Sequence, residues 1–283
     1  MVPVGILVVL GAVFGGYLFA HGEMAVLIQP AEFIIIGGAA LGGVLISTPI
    51  SVLMKLVKSL LKVLMGGGVP KGAYIELLSL IYELGQTIKK DGILGLESHM
   101  ENPYNSSILS KYPIFFKNHH AVDFLADTVR VIILGSLPPH EIEALMDAEL
   151  EAYHQEEAQM VSVLTKVGDA LPGLGIVAAV LGIVITMQSI DGPPQEVGHH
   201  VAAALVGTFL GVLLAYGFVQ PLGTIVETLN QSEARYFECL KAGLLSLARS
   251  VPSVIAVEFA RRTITSDVRP SFKDMESLLR EHK

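Results

Sequence analysis

The chain contains no tryptophan and a single cysteine, Cys239. An intramolecular disulfide is therefore excluded, and a lone thiol offers none of the spacing that a metal site requires. Charge is also scarce. Asp, Glu, Lys and Arg make up 16% of the 283 residues, against roughly 25% in soluble domains. A net charge of −8 argues against nucleic acid as a partner. The first apolar run lacks a basic leader and an A-x-A-like exit, so no cleavable signal peptide is expected. Enzyme signatures are missing as well: there is no phosphate-cradling glycine loop, no H-E-x-x-H and no nucleophile elbow. The expected answer is not an enzyme, with no catalytic residue, no metal site and no cofactor. The acidic residues from Glu141 to Glu157 lack the spacing of a calcium loop and read as a solvated helix face. The adjacent pairs His119-His120 and His199-His200 would point apart on a helix, so neither forms a ligand set.

What the chain has in abundance is long hydrophobic runs, and they hold almost none of its charge. Four are present: 2–20, 31–53, 169–190 and 201–226. A bilayer core about 30 Å thick needs roughly 20 apolar residues in helical form, and each run meets that length. The last two are joined by the short turn DGPPQEVGHH and fold back as a hairpin rich in small residues, among them Gly173, Gly175, Gly182, Gly207 and Gly211. Small residues on spanning helices allow close packing. Pro172 near the start of one helix and Pro221 near the end of the other are expected at similar depth on the same side, as paired weak points. Glu32, in the first turn of the second run, reads as an interfacial carboxylate favoured by a helix N-terminus.

Neither short link (21–30 and 189–200) contains Lys or Arg, so all 19 basic residues fall in the long loop and the tail. The positive-inside rule then places both regions, and both termini, in the cytoplasm. The loop is patterned rather than a linker. KGAYIELLSLIYELGQTIKK has helical spacing, DGILGLESHMENPYNSSI is rich in turns, and EIEALMDAELEAYHQEEAQMVSVLTKVGDALP reads as one helix entering the third span. The fourth span is expected to continue through ETLNQSEARYFECLKAGLLSLAR, with a last amphipathic segment at VIAVEFARRTI. The fold class is thus an all-α integral membrane protein of four transmembrane helices in two hairpins, with a helical cytoplasmic domain built from loop and tail. The corresponding segments are 1–53, 54–168, 169–226 and 227–283.

A pump or proton relay usually keeps an ionisable residue inside the membrane. No run has one near its midpoint; the deepest polar groups are hydroxyls such as Thr208, with Thr186 and Tyr216. A self-contained channel or transporter is disfavoured on that ground. If the chain handles ions, a partner must supply the acid.

Several motifs carry a family resemblance: VGDALPGLGIVAAVLGIV (167–184), ALVGTFLGVLLAYGFVQPL (204–222), IAVEFARRTI followed by RPSF (255–273), LESHMENP (96–103) and EIEALMD (141–147). Together they make the chain similar to the flagellar motor stator A subunit, the MotA/PomA family, and most similar to its proton-type members. The resemblance implies five A subunits around a dimer of B subunits in the bacterial inner membrane, surrounded by lipid, with a B-subunit transmembrane aspartate binding the proton. It also implies that charges on the A loop engage the rotor protein FliG. Carried over by motif, Pro172 and Pro221 are the family's two prolines, Asp169 its acid ahead of the first, and Thr208 its ion-path threonine. The rotor-facing charges fall on Lys89 and Glu97, where the family usually has Arg at the basic position. Sodium-type relatives place a threonine where this chain has Ala179, and two adjacent threonines where it has Gly207 and Thr208. Proton drive is the implied expectation, with sodium disfavoured. A related energiser class, ExbB/TolQ, also rings a partner helix but typically has three spans, with its large loop after the first.

Overall fold

The computed structural model describes residues 1–188 and 190–275. Ser189 and positions 276–283, the end of the tail segment, lie outside the described residues. The described residues form helices and turns with no strand among them. In order, the α-helices are α1 (Val2–Phe19), α2 (Met24–Leu27), α3 (Pro30–Ser47), α4 (Ile50–Leu64), α5 (Lys71–Asp91), α6 (Glu97–Glu101), α7 (Pro113–Phe116), α8 (His119–Leu134), α9 (Pro139–Gln188), α10 (Pro194–Leu214), α11 (Gln220–Ala248) and α12 (Ser253–Thr263). Four helical stretches are long and apolar enough to cross a membrane, beginning at Val2, Met24, Pro139 and Pro194. This is the four-span, all-α architecture expected from the apolar runs.

Two local departures from the expected helices have plain causes. The second apolar run does not continue to Leu53 as one helix. Thr48 precedes Pro49 and adopts an extended conformation (φ −133°, ψ 127°), as steric clash with a following proline ring demands. The chain restarts as α4, which is amphipathic: Leu56 and Val63 are buried while Lys55 and Lys58 are exposed. The turn-rich stretch after α5 is not irregular either. It is a short 3-10 helix (Ile93–Leu96) running into α6, with Gly92 at φ 75° making the reversal.

Packing gathers the chain into two compact units, Met1–Gly67 with Glu156–Thr228, and Gly68–Gln155 with Leu229–Lys283. The first has a small core of Ile36, Leu171, Ala178, Val206, Leu210 and Ala215. Many of its large apolar side chains are instead exposed, including Leu7, Ile34, Ile46, Val180 and Leu205, and α1 has no buried residue at all. That inverted surface is what lipid or sister subunits would cover.

The second unit has an ordinary globular core. Leu77, Leu78, Ile81 and Leu84 of α5 meet Phe124 and Leu125 of α8 and Phe237, Leu240 and Leu244 of α11. Gly85 lets α12 come close, because a Cβ there would lie 2.6 Å from the Ser253 side chain and 3.1 Å from Leu247. Gln86 Nε2 donates to Ser253 Oγ at 2.9 Å across the same contact. His120 is absorbed into this core, stacked on Tyr153 with ring centroids 4.2 Å apart.

The VEFARR and RPSF motifs form one ionic clamp. Arg261 meets Glu258 with two parallel bonds (Nε to Oε2, 2.8 Å; Nη2 to Oε1, 2.9 Å), and Arg262 Nε adds a third at 2.8 Å. Arg261 Nη1 also donates to the Pro270 carbonyl at 3.0 Å, tying down the turn after α12. The hydrogen bonds from Arg261 outweigh partial burial and, with those from Arg262, hold the Glu258 carboxyl down at about 2. The folded value lies below the ordinary 4.5, so the clamp stabilises fully above that value and is lost as pH falls through about 2. Glu258→Gln should therefore lower thermal stability at neutral pH, on the order of 1 kcal/mol given the partial solvent exposure. The gap to wild type should narrow as pH is lowered from 4.5 towards 2, read from thermal melts of the purified protein across that range.

Candidate functional site

The residues singled out in the third and fourth spans come together because those helices touch backbone to backbone. A Cβ added at Gly211 would lie 2.5 Å from the Leu171 carbonyl oxygen and 2.9 Å from Gly175 Cα. One added at Gly175 would lie 2.8 Å from the Gly207 carbonyl and 3.3 Å from Thr208 Cα, and one at Gly182 would lie 2.7 Å from Ala204 Cβ. Real Cβ atoms do not approach so closely, so these glycines fix the separation of α9 and α10. The same contact brings two predicted site positions side by side. Ala179 is half-buried, with its backbone nitrogen 3.1 Å from where a Gly207 Cβ would be, and Thr208 is the next residue along α10. Thr186, further along α9, is buried and donates to its own helix at Gly182 O (2.8 Å).

Asp169, Pro172 and Pro221 cluster at the other end of the hairpin. Gly168 packs on Gln220, where an added Cβ would lie 2.9 Å from Cγ, and Gln220 Nε2 donates to Asp169 Oδ1 at 3.3 Å. Gln220, next to Pro221, thus lies beside Gly168 and Asp169, three to four residues before Pro172 on α9. The prolines are handled differently, however. Pro172 lies inside α9, which stays helical through it from Pro139 to Gln188. Pro221 follows a wide π turn, Ala215–Val219, that separates α10 from α11. A proline cannot donate to the carbonyl four residues back and crowds it, and a π turn is one of the few helical irregularities that relieves this. Asp169 and Pro221 are exposed and Pro172 is half-buried.

Glu32, in the first turn of α3, is turned away from solvent. It is only 6% exposed, and its Oε2 is buried without a hydrogen-bond partner. The carboxyl occupies the space that a side chain at Gly207 would need, next to Ala178 and Ala179. Ile36, one turn on, is buried on the same face in the core of this unit. The sequence signal was present in two halves, the Glu32–Ile36 spacing and the missing side chain at Gly207, but nothing local joins them.

Lys89 and Glu97 belong to the other unit. Lys89 is in the last turn of α5 and Glu97 opens α6, with the Gly92 reversal between them. Both side chains are exposed, and among the described residues neither forms an ion pair. Lys90 is exposed as well. The turn that presents them is anchored from below by Leu96 and Met100, both fully buried. Arg130 reaches the Met100 carbonyl and is itself held by Asp127 at 2.6 Å, while Tyr104 donates to Asp123 at 2.8 Å. These residues of α8 hold the E-N-P segment in place, a supporting role that the motif alone did not reveal.

The fold and these residues define a four-span, all-helical membrane subunit with a glycine-packed second hairpin and a charged, rigidly backed loop. Residues 3–92 match the family model described as motility protein A N-terminal, and residues 117–239 match the MotA/TolQ/ExbB proton channel family. The chain is 40% identical over 280 residues to motility protein A of Salmonella typhimurium, covering 99% of this chain and 95% of that protein. It is 41% identical over 283 residues to motility protein A of Escherichia coli, covering 100% and 96%. The chain belongs to the motility protein A family. Among solved structures it resembles the C. jejuni MotAB structure (TM-score 0.77, 19% identity, covering 95% of this chain and 97% of that one). It also resembles the flagellar MotAB stator complex of Bacillus subtilis (TM-score 0.73, 22% identity, covering 99% and 98%).

The close contact of α9 and α10 has a direct consequence for substitution. Gly211→Ala should force the hairpin apart and cost about 1–3 kcal/mol, the usual range for overpacking. Gly198→Ala, where an added methyl meets nothing, should be tolerated. Melting curves of the detergent-purified protein would separate the two.

Proposed function

We propose that this chain is the A subunit of a flagellar motor stator, working with a B subunit in a proton-driven, torque-generating unit. Family membership over nearly the whole chain supports the stator role and the partner. The observation that carries the mechanism is the composition of the helix pair lining the candidate ion path. Between Asp169 and Asp191, and from Val201 to Val226, there is no charged side chain. The Ala179 backbone meets Gly207 there, and Thr208, the next residue along α10, is the hydroxyl-bearing residue beside that contact. A sodium ion must exchange its hydration shell for several oxygens. One hydroxyl and an alanine methyl do not supply them, whereas a proton needs a carboxylate and a polar path. In this reading the B subunit's transmembrane aspartate is the principal acid, and protonation there shifts the two proline-bearing segments of the A subunit against each other. Five A subunits would surround two B helices in the bacterial inner membrane, with lipid outside and both A termini in the cytoplasm. The distribution of Lys and Arg supports that orientation.

The rotor contact belongs to the same proposal. Lys89 and Glu97 stand exposed on a loop whose underside is locked into the core, so their charges are free to meet complementary charges on FliG. An ExbB/TolQ-type energiser is the nearest alternative, and the match of residues 3–92 to the motility protein A N-terminal model favours the stator.

Motor speed measured against external sodium, at fixed pH and membrane potential, should be flat, and should follow the proton gradient instead. A steep, saturating dependence on sodium would refute proton drive. Reversing both Lys89 and Glu97 should impair swimming while leaving the complex assembled in the membrane, with partial recovery on complementary reversal in the rotor. Normal motility in the double reversal would move the contact elsewhere.

A further inference from the structure

We propose that Glu32 is a second proton-binding site on the ion path, contributed by the A subunit itself; this rests on the proton-driven stator reading above. Three observations meet at this residue. The residue is only 6% exposed. Its Oε2 is buried with no hydrogen-bond partner. It points into the space that Gly207 leaves on α10, beside the backbone of Ala179 and one residue from Thr208. A carboxylate oxygen without a donor is costly in apolar surroundings, and buried carboxylates of that kind in membrane proteins mark proton relays.

The neighbouring elements supply no other charge at this level. The third span has no ionisable residue between Asp169 and Asp191. On α10 the nearest titratable groups are His200, His199 and Glu196, the closest of them about two helical turns from Gly207. On the chain leading into α3 the nearest is Glu23, exposed at the start of α2. Among the described residues, no ion pair to Glu32 is formed.

Glu32 is also on the right side. With the basic residues inside, α3 begins at the outer face, and Glu32 is in its first turn. The step is a simple exchange: the carboxylate takes one proton from water on the outer side and becomes a carboxylic acid. It then releases that proton inward, past Ala179 and Thr208, to the partner's carboxylate. No other bond forms or breaks, and Glu32 returns to its starting state. Five copies in a ring would offer five such loading points around the partner helices.

The test uses the intact complex in cells. Glu32→Gln preserves size but cannot titrate, and Glu32→Asp keeps a titratable group on a shorter arm. Glu32→Gln should slow the motor about a hundredfold or more, the range for removing a positioned proton-transfer group. The amount of complex recovered with the B subunit should be unchanged. Glu32→Asp should retain rotation with a displaced dependence of speed on external pH. Infrared difference spectra of the reconstituted complex, recorded between high and low pH, should lose a carboxyl stretching band in Glu32→Gln. Wild-type speed and pH dependence in Glu32→Gln would overturn the proposal. Failure of both variants to co-purify with the B subunit would also overturn it, since the carboxyl would then serve assembly. If wild-type speed tracks sodium, the proton reading itself falls and this site with it. A wild type that follows protons beside an unaffected Glu32→Gln overturns this site alone.

Discussion

The contact on which the membrane unit depends is the meeting of two helix backbones with no side chains between them. Gly175, Gly207 and Gly211 put α9 and α10 within van der Waals contact of each other's main chain, and Gly182 against Ala204 extends the seam. In lipid there is no hydrophobic force to press helices together, so close packing of small residues must provide the cohesion. Everything assigned to the ion path follows from this seam. It sets Ala179 beside Gly207, places Thr208 next to them, and leaves the vacancy on α10 that the Glu32 carboxyl occupies. Substituting any of these glycines changes the spacing first and the chemistry second.

The second unit is built differently, with exposed charges set over a packed core. Lys89 and Glu97 are on the outside of a reversal whose inner side chains, Leu96 and Met100, are fully buried. Behind them Arg130 engages a backbone carbonyl rather than a side chain, so the loop is held by groups that cannot rotate away. The Glu258–Arg261–Arg262 cluster serves the same end on α12, joining two sequence motifs into one clamp.

Much of this was legible in the sequence because its determinants are local. A run of about twenty apolar residues specifies a span, and helical spacing marks α5, α8 and the long α9. That the start of the third span meets the end of the fourth followed from an antiparallel hairpin, and the Asp169–Gln220 bond joins those ends. Pro49 ending the second span was also written in the chain, since the residue before a proline resists helical geometry, yet the apolar composition through Leu53 masked it. Glu32 was not legible. A carboxylate in a first helical turn looks the same whether it faces water or a gap, and the gap is made by a glycine on another helix. The Arg130 support escaped for the same reason, because its partner is main chain and leaves no mark in side-chain pattern.

The π turn at Ala215–Val219 has a consequence for phase. A wide turn amounts to one residue beyond what an α-helix of the same rise would use, and each residue of an α-helix advances the azimuth by about 100°. The side chains that follow are therefore dialled round by roughly that angle relative to an unbroken helix. Gln220 faces Gly168 and Asp169 only in the shifted setting. The bulge thus acts as a vernier between the end of the fourth span and its neighbour, so that chain length in this short segment matters as much as the identity of the residues in it.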